Sequence, residues 1–103
     1  MSAVKEKEST FEAIFAHDQE MRFLAEARRN ALIGLWAAAL MQKSDAEAYA
    51  VELREYGVEN PNGVLQRLSE DFQQAGIAML PADIHNKMTH LLQTTFAEMA
   101  RAV

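Results

Sequence analysis

FEAIFAHDQEMRFLAEARRNALIGLWAAAL, residues 11–40, decides the fold. Apolar side chains recur in it at intervals of three and four: Phe11, Ile14, Phe15, Met21, Ala25, Leu32, Leu35, Trp36, Ala39 and Leu40. That is the spacing of one face of an α-helix, and no proline interrupts it, so one long amphipathic helix over about residues 10–42 is expected. Its halves differ. Around Leu32–Leu40 the opposite side is also small or apolar, with Ala31, Gly34 and Ala38, so neighbouring helices can approach from several sides. Before residue 31 the stripe admits Asp18, Arg22 and Arg29, and the back carries Glu20, Glu26 and Asn30. That half is expected to project from the fold or lie partly open.

Working outward, residues 1–9 are charged, small and without period, the composition of a frayed or flexible start. Beyond the long helix, Ser44 followed by Glu47 reads as a capping box, and Gly57 stands where a helix would close in a left-handed residue. A second helix over 45–56 follows, burying Ala46, Tyr49, Ala50 and Leu53. NPNG at 60–63 is turn chemistry, and Val64, Leu65, Leu68 and Phe72 give a short third helix over 62–75, ending at Gly76. Pro81 suits a first helical turn and Asp83 its positive end, and Ile84, Met88, Leu91, Leu92, Phe96 and Met99 carry a fourth helix over 82–101. With no useful period-two segment, the chain reads as a single all-α domain, a four-helix bundle. At 1.5 Å per residue the helices would be roughly 50, 20, 20 and 30 Å long. The long N-terminal helix must therefore overhang the bundle.

Composition narrows the function. The formal charge of −5 arises from residues 44–103, where four basic side chains face nine acidic ones, whereas residues 1–43 balance. An acidic body does not attract nucleic acid or anionic membrane. There is no cysteine, which removes disulfides, thiolate metal sites and thiol catalysis. The longest apolar run, Ala31–Met41, is far short of the about 20 residues that cross a bilayer, so no membrane insertion is expected. The N-terminus lacks the basic-then-apolar order of an export signal, so a cytoplasmic location is expected.

Catalytic constellations are missing. His17 and Asp18 are adjacent, and neighbours on a helix diverge by about 100°, so they cannot act as base and orienter. Asp18 is instead expected to pair with Arg22 one turn later. His85 and His90 are spaced unlike a zinc-gripping i, i+4 pair, and no Glu-x-x-His di-iron motif, phosphate loop or nucleophile elbow occurs. Neither an enzyme nor a metal or other cofactor is expected. Arg28 and Arg29 give only weak grounds for nucleotide binding. Phe23 is the exception to a bland surface: it points away from the stripe of Phe11, Ile14 and Leu32, onto a face made of Glu20, Glu26, Ala27 and Asn30. An off-stripe aromatic on a projecting helix is a candidate interface anchor, unless helix four folds back over it.

Phe15-Ala16-His17-Asp18, Glu20, Phe23, Ala25-Glu26-Ala27-Arg28-Arg29-Asn30, Leu32, Gly34 and Trp36-Ala37-Ala38 together resemble the signature of the zeta-subunit family of alphaproteobacterial F-type ATP synthases. The likeness is dense over residues 11–40 and elsewhere rests on the order of three further helices. It implies a small four-helix ATPase inhibitor whose N-terminal segment inserts between the catalytic subunits and the rotor stalk of the synthase. It would block ATP hydrolysis while permitting synthesis, in the cytoplasm at the inner face of the membrane. On that resemblance Phe11, Phe15, His17, Asp18, Glu20, Arg22, Phe23, Arg28, Arg29 and Asn30 are the partner-binding residues. Ile14 and Leu24 depart from it, standing where basic residues would be expected. The alternative is a non-inhibitory helical interaction or scaffold protein, with Ile14, Phe23 and Leu24 covering one another in a homodimer.

Overall fold

A computed structural model describes residues 3–102 of the chain, and the side chains of residues 17–101. Four helices follow in order: α1 (Ala3–Leu40), α2 (Ala46–Glu59), α3 (Val64–Gln74) and α4 (Pro81–Ala102). No strand occurs among the described residues. The helical path of α1 already starts at Ala3, well before the expected start near Thr10.

The junctions show how local chemistry sets the boundaries. α1 stops without glycine: Gln42 takes a left-handed φ of 56°, and Lys43 N–H donates to the Ala38 carbonyl at 3.0 Å. This is a Schellman closure on a residue that pays for it in strain. α3 closes the same way on Gly76, φ 76°, with Ile77 N–H donating to Phe72 O at 2.9 Å. The expected capping box at Ser44 does not form. Asp45 caps α2 instead, its carboxylate accepting from Ala48 N–H at 3.0 Å. Pro81 opens α4, with Asp83 in the first turn, as the sequence predicts.

Gly57 corrects the sequence reading. It lies inside α2, which runs on to Glu59 and ends with Asn60 N–H donating to Tyr56 O at 2.8 Å. Glycine is needed there for space: a Cβ would lie 2.3 Å from Asn30 Nδ2 and 3.2 Å from Val64 Cγ2. Gly34 plays the same part nearer the centre of the bundle, where an added Cβ would meet the Ala50 Cα at 2.8 Å. These two glycines let the axes of α1 and α2 run close together.

Close approach also decides which face of α1 is inside. Ile33, Ala37 and Ala38 are fully buried, while Leu32, Leu35 and Leu40 are each about two-fifths exposed. The expected leucine stripe is therefore not the core stripe. Ala37 and Ala38 are short enough to let neighbouring helices approach, and Ile33 joins them in the core. The core joins Ile33, Ala37 and Ala38 to Tyr49, Leu53, Val64, Leu68, Phe72 and Ile84, with Trp36 edge-on to Phe72 at a centroid distance of 5.7 Å. In α4, Thr95 is buried in place of Phe96, its hydroxyl satisfied by the Leu91 carbonyl at 2.7 Å.

A polar staple ties α2 to α3. Tyr49 OH donates to Asp71 Oδ2 at 2.6 Å, Arg67 Nε donates to the same oxygen at 3.0 Å, and Arg67 also reaches Glu52 at 3.0 Å while lying over the Tyr56 ring. Burial, and then the Asp71 bond, raise the Tyr49 hydroxyl above its ordinary pKa.

The molecule measures 65 × 25 × 23 Å with a radius of gyration of 17.4 Å. A compact chain of this length would have about 13 Å. The excess comes from α1, whose 38 residues span roughly 57 Å.

Candidate docking site

Among the described side chains, those of α1 that are buried against the rest of the chain lie from Ala25 onward. His17, Asp18, Gln19 and Glu20 are all exposed, Met21 is half-buried, and the first buried side chain among those described is Ala25. From Ala3 to that point the helix extends roughly 33 Å. The reason lies in lengths: α2 with 14 residues and α4 with 22 run out before α1 does.

The partner-binding residues expected from the sequence divide into three groups. His17, Asp18, Glu20, Arg22, Phe23 and Arg28 are exposed on α1, with Arg29 half-buried among them. Phe11 and Phe15 lie outside the described side chains. Asn30 is a correction: it is 5% exposed, its amide oxygen accepts from Arg29 Nε at 2.7 Å, and its amide nitrogen lies against Gly57. It serves the chain's own α1–α2 contact rather than standing free on the surface. The expected Asp18–Arg22 pair is also replaced. Arg22 Nε donates to Glu26 Oε1 at 3.1 Å, one turn the other way, in a surface pair that contributes about 0.3–0.5 kcal/mol.

Phe23 is 54% exposed, so helix four does not fold over it. It shares a face of α1 with Asn30 two turns later, the same face that is buried deeper in the bundle. Phe23 is thus where the inner face of α1 passes the end of its cover. With Glu26, Ala27, Arg29 and Asn30 it walls a cavity of about 140 Å³ closed by Gly57, Val58 and Pro61 at the end of α2. Arg29 is half-buried there, and burial, partly offset by Glu26, lowers its pKa.

On the other flank, Leu24, Ala27, Arg28, Ala31 and Leu32 form a shallow apolar floor between Arg54 of α2 and Glu98 of α4. Val58 and Pro61 were not legible as site residues, because α2 was expected to end at residue 56. The signal that could have found them is a glycine set within a helical apolar pattern, which marks close approach. No helix in the described residues is long and apolar enough to cross a membrane, and among them no group of three metal-ligating side chains occurs.

The described residues form a small all-α bundle in which the side chains of α1 before Ala25 are not buried. The family model described as ATPase inhibitor subunit zeta matches residues 1–98, and the chain belongs to that family. No curated relative matches it.

Proposed function

We propose that this chain binds the catalytic head of F-type ATP synthase and stops ATP hydrolysis through the projecting half of α1, inserted between catalytic and rotor subunits. Family membership supplies the inhibitory role. The observation that carries the mechanism is the free length of α1: no described side chain before Ala25 is buried, so that segment can enter a cleft while the bundle stays folded outside. A cleft between moving subunits is polar and interdigitated, which suits the alternation of Asp18, Glu20, Arg22 and Phe23 better than a purely apolar rod would. A bundle too wide for the cleft then acts as a stop. Hydrolysis and synthesis turn the rotor in opposite senses, so a wedge seated from one side resists one rotation and is released by the other.

Added to the matching synthase, the full chain should suppress hydrolysis and leave synthesis running, whereas a chain beginning at residue 18 should leave both running. Equal inhibition by the two would show that the free part of α1 is not the inhibitory element. Absence of any binding to the head would return the chain to the alternative, a non-inhibitory helical interaction protein.

A further inference from the structure

The pocket where α1 leaves the bundle has no function in the contacts described so far. Its volume, about 140 Å³, is that of a cavity able to hold one benzene-sized group. Its walls expose large apolar surface that the chain's own fold does not use: Phe23 is 54% and Val58 53% exposed, with exposed Pro61 beside them. The walls are also firm, because Asn60 ties the end of α2 through both its N–H and its side-chain amide to the Tyr56 carbonyl, and Gly63 N–H closes the turn on Asn60 O at 2.9 Å. A pocket already shaped demands little ordering when it is filled.

Charge says what should stand beside the apolar group. Arg29 gives its Nε to Asn30, and among the described residues it is in no salt bridge, while Glu26, the carboxylate that acts on it electrostatically, is engaged by Arg22. A half-buried guanidinium with the outer side of its fork uncommitted favours a carboxylate, whose two oxygens match its geometry. The pocket is also continuous with the projecting part of α1, since Phe23 lies one turn beyond Glu20 on the same helix. A surface that grips the free helix therefore meets the pocket next.

Resting on the reading that α1 docks on the catalytic head, we infer that this pocket is a second, separate contact: it receives one leucine- or phenylalanine-sized side chain of the synthase, with an adjacent carboxylate of the synthase on Arg29. The end of α2 and the turn after it then belong to the interface, and the bundle is held against the head rather than hanging from α1.

The test is the affinity of the full chain for purified catalytic head stripped of its own copy, with four variants measured beside it. Val58→Asp and Arg29→Gln should each weaken binding roughly tenfold or more, the loss typical of an interface anchor. Leu80→Asp, at an exposed apolar side chain outside the pocket, should bind as the unaltered chain does, and a chain beginning at residue 18 should lose most affinity. Thermal melts followed by circular dichroism identify any variant that fails to fold, and the other pocket variant then decides. If Val58→Asp and Arg29→Gln, both folded, bind like the unaltered chain while the shortened chain does not, the pocket contact is overturned and docking by α1 stands. If the shortened chain binds fully, docking by α1 falls and this contact falls with it. Shifts of the Ala27 and Val58 resonances on adding ADP alone, with unimpaired binding of Val58→Asp to the head, would give the pocket to a nucleotide and also overturn it.

Discussion

Gly57→Ala tests the packing that sets where α1 becomes free. In an exposed helix, replacing glycine by alanine stabilises by about 1 kcal/mol. At this position the new methyl would lie 2.3 Å from Asn30 Nδ2, closer than any real contact, with Val64 Cγ2 at 3.2 Å on its other side. Asn30 must turn away or the helices must part. Turning away breaks its 2.7 Å bond with Arg29 inside a site that is 5% exposed, and an unpaired buried amide costs about 1–3 kcal/mol. Parting the helices strains a packed interface by about 1–3 kcal/mol. Against the gain of about 1 kcal/mol, the net expectation is a loss of up to roughly 2 kcal/mol, centred on about 1, or about 5 °C in melting temperature for a domain of this size.

The double variant removes ambiguity. With Asn30→Ala already in place, the obstructing amide is gone, and adding Gly57→Ala should be neutral or stabilising by up to about 1 kcal/mol. Urea melts of the four proteins measure the coupling directly. A Gly57→Ala protein as stable as the parent, or one equally destabilised with and without the Asn30 side chain, would refute the argument from close approach.

Gln42→Gly should stabilise by about 0.5–1 kcal/mol, because the left-handed φ of 56° strains any residue with a Cβ, and a rise in melting temperature would register it. The raised Tyr49 pKa means that the folded state keeps a proton the unfolded state releases above about pH 10. That contribution is complete below pH 10 and is lost as pH rises beyond it, so the chain should lose stability in melts from pH 9 to 11.5 and Tyr49→Phe should flatten that fall. Phe23→Ala should leave the melt within about 0.5 kcal/mol, since the ring is half in water, yet weaken inhibition of hydrolysis about tenfold.

How much of this was legible in the sequence depends on whether a feature is local. The helices were readable because apolar spacing, Pro81 and the turn at 60–63 act within a few residues. The overhang was readable too, because it needs only comparative length. The inward face of α1 was not. Leucines were expected to point inward, but the interior went to Ile33, Ala37 and Ala38, because which face of α1 is covered depends on where the neighbouring helices lie. Gly57 was read as local punctuation although its purpose is to make room for Asn30, 27 positions away in a different helix. That error hid the pocket. With α2 stopped at residue 56, Val58 and Pro61 had no helix end to stand on, and Asn30 looked like a surface residue available to a partner. Sequence signals report what a residue does for its own turn, and a docking site built from two helices becomes visible only once their separation is known. The separation here is fixed by two glycines and one buried amide, which is why perturbing Gly57 should reach the pocket mouth at Phe23 as well as the melting temperature.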